Sequence, residues 1–171
     1  MDATTPNIEI IRAQPEHRDV LGNLVEFYLY DFTEYAPWDV GDDGRYGFDR
    51  LDSYFAEPER HPYLLRVDGK WGGFALVREG AEFLDGRTGA DMAEFFVLRK
   101  YRRSGIGERL ATTMFDTYRG LWQIREMRAN VRAQSFWRAI IGRYTNGAYE
   151  ERDYDDDRAR GPVQYFDNAS R

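Results

Sequence analysis

The residues best placed to do chemistry lie in one run, Ala93 to Leu110. Its front, Glu94-Phe95-Phe96-Val97, is an apolar strand pattern that carries one carboxylate. A basic stretch follows, with Arg99, Lys100, Arg102 and Arg103, and then the turn Arg102-x-x-Gly105-x-Gly107. Beyond it, Ile106, Leu110, Met114 and Phe115 recur at helical spacing. A strand, a glycine turn and a helix start together make a receptor for an anion. The first amides of a helix have no intrahelical partner, and the helix dipole adds partial positive charge there. Glycine lets the backbone approach a phosphate group closely. The expected guest is a diphosphate.

Other elements must hold this run in place. Ile8 to Arg12 alternates as a first strand. Pro15 suits a helix start, and Val20, Leu21, Leu24, Val25, Tyr28, Phe32 and Tyr35 keep helical spacing, so a long amphipathic helix is expected over about 15–35. Pro37, Gly41, Gly44 and Gly47 break it into a loop, and a short helix is expected over Phe48 to Ala56. Tyr63 to Val67 and Trp71 to Arg78 read as strands joined at Asp68-Gly69, a hairpin signal. Glu79 to Ala90 is polar and reads as a connector, and Asp91 to Leu98 as a central strand. Then come a helix over Gly105 to Tyr118 and a strand over Leu121 to Met127. A helix over Val131 to Ile141 precedes closing strands at Gly147 to Tyr154 and Pro162 to Phe166. The acidic run Asp153 to Asp157 reads as a solvated loop. The order β-α-α-β-β-β-α-β-α-β-β predicts a mixed α/β fold, with a central sheet of six to seven strands and helices on both faces. One domain is expected over residues 1–171.

Composition narrows the function further. A net charge of −6 argues against general nucleic-acid binding. The absence of cysteine removes a disulfide framework, a thiolate metal site and a cysteine nucleophile. His17 and His61 are isolated, so no metal and no Ser-His-Asp arrangement is expected. The start has no signal-peptide pattern, and no apolar run approaches membrane-spanning length. A cytoplasmic protein with no membrane partner is expected.

With these elements in view, the chain resembles the GNAT superfamily of acetyl-CoA-dependent N-acetyltransferases. The resemblance rests on Glu94-Phe95-Phe96-Val97, on Arg102-x-x-Gly105-x-Gly107, and on Asn130-x-x-Ala133-x-x-Phe136-Trp137 after the next strand. The clear match covers about residues 91–145, and it is similar to a subgroup whose substrate is not specified. A glycine turn alone is a weak pattern; its position between strand and helix gives it weight. A dinucleotide-binding fold is disfavoured, since its glycine turn would follow the first strand.

The resemblance implies acetyl-CoA as co-substrate. Phe95, Phe96 and Val97 would line the pantetheine arm, and the Val97 amide would hold the developing oxyanion. Arg102, Arg103, Ser104, Gly105, Ile106, Gly107 and Glu108 would wrap the pyrophosphate, largely through backbone amides. The side chain of Asn130 would bond the pantetheine amide or cap its helix. Phe136 and Trp137 would pack on the pantetheine or close the core. Many family members have a tyrosine where this chain has Trp137, and an indole cannot serve as a proton donor at neutral pH. Tyr144, one heptad on, is the alternative acid.

A glutamate that some members use as base corresponds to Arg125 here. Glu94 and Asp91 remain as candidate bases, Glu94 first, because an apolar strand setting favours proton uptake near neutrality. The alternative for Glu94 is an ion pair with an arginine such as Arg125. Tyr28, Tyr30, Asp31, Glu34, Tyr35 and Trp38 offer an acidic, aromatic wall, with Tyr30, Asp31 and Tyr35 as acceptor-binding candidates. The implied acceptor is an amine of a small molecule or protein. The rival reading is a non-catalytic acyl-CoA-binding module. Dimers are common in such folds.

Overall fold

The computed structural model describes residues 5–171. The strands are β1 (Ile8–Arg12), β2 (Arg60–Val67), β3 (Lys70–Glu82), β4 (Thr88–Val97), β5 (Leu121–Arg125), β6 (Glu150–Asp156) and β7 (Ala159–Asp167). The helices are α1 (Arg18–Phe32), α2 (Ser53–Ala56), α3 (Ile106–Thr117) and α4 (Val131–Thr145). Single 3-10 turns cover Pro15–His17 and Arg99–Tyr101. The strands form one mixed sheet in the order β1-β2-β3-β4-β5-β7-β6. β1 pairs antiparallel with β2 (Ile8 opposite Val67), and β4 pairs parallel with β5 (Ala90 opposite Trp122). β7 pairs antiparallel with both β5 and β6.

The chain divides into two compact units, and β3 and β4 each run from one to the other. The first comprises residues up to Leu76 together with Glu94–Leu110. Its core is filled by Leu21, Leu24, Val25 and Leu29 of α1, Leu64 and Leu65 of β2, Phe74, Phe96 and Ile106. The α1 residues recur at three and four, so one helix face is apolar and becomes the buried one.

The second unit comprises Val77–Ala93 and Ala111–Arg171. Phe115 is its aromatic hub, with ring centroids 5.0 Å from Trp122, 4.9 Å from Phe166 and 5.1 Å from Tyr144. A second cluster joins Ala81, Phe83, Val163 and Tyr165.

Several boundaries depart from the sequence reading. The connector expected over Glu79–Ala90 shrinks to residues 83–87, because β3 runs on to Glu82 and β4 begins at Thr88. Ala81 and Phe83 enter the core from this polar stretch, while Glu82 between them faces water. The acidic run at 153–157 is largely strand, not loop. β7 satisfies its backbone, and Arg128 and Arg158 each meet an aspartate at 2.9 Å. Helix over Phe48–Ala56 is confined to its last four residues. α4 extends to Thr145 and stops at Asn146, which takes a left-handed φ of 53°.

Candidate active site

In the first unit, β4 delivers its last residues to the glycine turn. Phe96 and Val97 are buried, and the Leu98 amide donates to Gly72 O at 2.8 Å. Gly73 makes this approach possible. A Cβ there would lie 2.1 Å from Phe96 O and 3.0 Å from Val97 Cα. Gly73→Ala is therefore expected to cost about 3 kcal/mol, the upper range for overpacking. Urea unfolding checks this, and a loss below about 0.5 kcal/mol would contradict the packing seen at the end of β4.

Arg102 is tied into this corner rather than left in solvent. Its Nε donates to Val97 O at 2.6 Å, and its guanidinium meets Asp31 at 2.5 Å. Arg99 reaches the other oxygen of Asp31 at 2.7 Å. Asp31, expected to face an acceptor, is held here by both arginines. One carboxylate joins the end of α1 to two arginines of the loop.

Arg103 and Gly105 both take left-handed conformations, with φ of 62° and 79°. They turn the chain into α3, where the Arg109 amide closes the first helical bond on Gly105 O at 3.0 Å. The amides of Gly105, Ile106 and Gly107 precede that bond. A Cβ at Gly105 would meet nothing within 4 Å, so the turn opens into space. Buried Ile106 anchors the helix start from beneath. Helix-start amides, an open glycine turn and exposed Arg103 suit a diphosphate. The exposed Ser104 donates its hydroxyl to Tyr101 O at 2.7 Å.

Glu94 accepts a short hydrogen bond from the Tyr28 hydroxyl. The Tyr28 ring is wedged among Phe32, Phe74 and Phe96, at 4.6, 5.6 and 5.9 Å. Burial, and then the Glu94 charge, hold the Tyr28 hydroxyl well above its ordinary pKa, so it stays a proton donor to Glu94. Sequence reasoning named Tyr28 but missed the pairing. The usable signal was a tyrosine inside the apolar stripe of α1, since a buried hydroxyl needs a partner. Of the other wall candidates, Tyr30 is 60% exposed and Tyr35 packs edge-on against Phe32. Trp38 stacks on Phe32 at 6.0 Å.

The second unit holds the remaining candidates. Asp91 is 1% exposed and accepts from Gln123 at 3.1 Å and from Arg125 at 3.2 Å. The arginine considered as a partner for Glu94 thus pairs with Asp91, and Asp91 is an anchor within β4 and β5. Asn130 Oδ1 accepts from the Ala133 amide at 3.0 Å and caps α4. Asn130→Ala is expected to cost about 1 kcal/mol of stability by denaturant titration. An unchanged midpoint would contradict the cap.

Trp137 is 5% exposed and packs against Phe136 at 5.0 Å and Phe115 at 6.3 Å, closing the core. Tyr144 donates to Asp116 at 2.8 Å and accepts from Asn168 at 3.1 Å. It lies 14 residues beyond Asn130 along α4, or about 21 Å. Tyr144, expected as the alternative acid, joins Asp116 of α3 to Asn168. Among the described residues, no group of three or more His, Cys, Asp or Glu is placed to hold a metal ion. No helix among them is long and apolar enough to cross a membrane.

The model of the acetyltransferase (GNAT) family matches residues 24–142. The chain belongs to the GNAT acetyltransferase family. It is therefore an acetyl-CoA-dependent acyltransferase, and the glycine turn falls within the matched segment. Solved structures share this acetyltransferase's fold at low identity. A GNAT acetyltransferase from Staphylococcus aureus Mu50 has a TM-score of 0.60 and 14% identity over 96% of this chain and 100% of its own. The PaiA N-acetyltransferase of Thermoplasma acidophilum, in complex with coenzyme A, has a TM-score of 0.64 and 13% identity over 94% and 99%. The ribosomal-protein-S18-alanine N-acetyltransferase of Escherichia coli has a TM-score of 0.60 and 15% identity over 96% of both chains. Comparison of the sequence with curated proteins gives no significant match.

Proposed function

We propose that the protein transfers the acetyl group of acetyl-CoA to the nitrogen of a primary amine by direct attack, with Glu94 as general base. The observation that carries this reading is the pairing of Tyr28 of α1 with Glu94 of β4, which lies three residues before Val97 and in the same unit as the glycine turn. The hydroxyl of Tyr28 holds one carboxylate oxygen. Acetyl-CoA supplies an acyl group already activated as a thioester.

The amides of Gly105 to Gly107, with Arg103, hold the diphosphate. Arg102 acts indirectly, bracing the Val97 carbonyl and Asp31. The Val97 amide faces the acyl oxygen in this reading. Glu94 takes the proton of the amine as the carbon–nitrogen bond forms and the carbon–sulfur bond breaks. No protein acid is required for the departing sulfur, since a thiol pKa near 8.5 makes the thiolate a tolerable leaving group. Nitrogen as acceptor is supported by the alanine N-acetyltransferase among the structural neighbours.

A panel of amines, including polyamines, aminoglycosides, amino acids and peptide N-termini, assayed for acetyl-CoA-dependent thiol release, tests the reading. Release with at least one amine is expected. Coenzyme A binding without release for any of them would overturn it in favour of an acyl-CoA-binding module.

A further inference from the structure

A second buried carboxyl lies outside this site. Glu126 follows β5 directly, and its amide donates to Pro162 O at 3.2 Å. Its backbone is pressed against β7, where a Cβ at Gly161 would come within 2.2 Å of Glu126 O. The residue is 8% exposed. Neither carboxyl oxygen has a hydrogen-bond partner, and both are closed off from solvent. The same holds for Oε1 of Gln164, a wholly buried residue on β7 whose Nε2 donates to Glu151 at 2.8 Å.

Three buried acceptors with no donor among them are costly as they stand. A single proton eases the conflict, because it removes the buried charge and turns one of the acceptors into a donor. The charged groups that face Glu126 are Glu151 from β6 and Arg138 from α4. These are paired with each other through two bonds of 2.8 Å, which tie the guanidinium to Glu151. β7 offers the neutral Gln164. α4 is bound to the same corner by Gln134, whose Nε2 donates to the carbonyls of Met127 and Arg128 at 3.0 and 2.9 Å.

We infer that Glu126 is a neutral carboxylic acid, and that this buried proton is a pH-sensitive lock on the packing of α4 over β5, β6 and β7. Burial pushes the carboxyl up from 4.5 to about 8, with the Glu151 charge adding to the rise and the Arg138 charge opposing it. A carboxyl raised on folding contributes stability that is complete below 4.5 and is lost as pH rises to about 8. Above that, the ionised group must admit water beneath α4.

Carbon-13 NMR of glutamate side-chain carboxyls in the intact wild-type protein, assigned through their own backbones, is the direct test. Glu126 is expected to titrate near 8. Titration in the ordinary carboxylate range would overturn the inference. In unfolding experiments, the wild-type unfolding constant should rise relative to Glu126→Gln by up to about tenfold per pH unit between the two values, then level off. Parallel curves for the two proteins would also overturn it. Stabilisation of the wild type, and not of Glu126→Gln, by calcium or magnesium would replace the proton with a bound cation and refute the lock.

Discussion

Gly107→Trp is expected to lower coenzyme A affinity by at least about 100-fold while the domain stays folded. The arithmetic follows from the helix start. Hydrogen bonds to a charged group contribute about 1.5–3 kcal/mol each, and an indole in front of the first turn denies the diphosphate at least two of them. A loss of about 3 kcal/mol or more is a change of over 100-fold in Kd. The fold should tolerate the change, because Gly107 is partly exposed and the buried anchors of α3 are its neighbours Ile106 and Leu110. Calorimetric titration with coenzyme A, alongside a thermal melt, checks both halves. Unchanged affinity in a folded variant would remove the glycine turn as the diphosphate site.

Glu94→Gln is expected to reduce kcat by about 100-fold or more, the range a general base supplies, with little effect on coenzyme A affinity. The amide keeps the shape of the side chain and still accepts from Tyr28, so it removes proton acceptance and little else. Tyr28→Phe should reduce kcat less, since it removes one hydrogen bond from the carboxylate without deleting it. It should also cost stability only slightly, because the ring contacts with Phe32, Phe74 and Phe96 survive. Pre-steady-state acetyl transfer to the best amine of the panel separates these effects from product release. Wild-type rates for Glu94→Gln at every pH would dismiss Glu94 as the base and leave the donor site untouched.

The two carboxylates on β4 show where linear reading reaches its end. Asp91 and Glu94 are three residues apart on one strand, and both offered the same chemistry. Strand pleat sends neighbours to opposite faces, so the two side chains meet different surroundings. Asp91 finds Gln123 and Arg125, whereas Glu94 finds a tyrosine 66 residues away. The same limit applies to Asp31, whose charge is taken by Arg99 and Arg102, and to Tyr144, taken by Asp116 and Asn168. Ion pairs and hydrogen bonds between elements distant in sequence leave no periodic trace along the chain.

What was legible in the residues alone is what local physics controls. The amphipathic stripe of α1, the Asp68-Gly69 hairpin, the strand ending at Val97 and the turn through Gly105 into α3 are each encoded within a few positions. The family follows from that local pattern together with the spacing to Asn130. The strand status of residues 79–82 and 155–156 was hidden, because their pairing partners, not their composition, make them strands. Only the folded arrangement distinguished the carboxylate poised on Tyr28 from the one anchored by Arg125. Only burial singled out Glu126, since a carboxyl's protonation depends on the water and donors that tertiary packing removes.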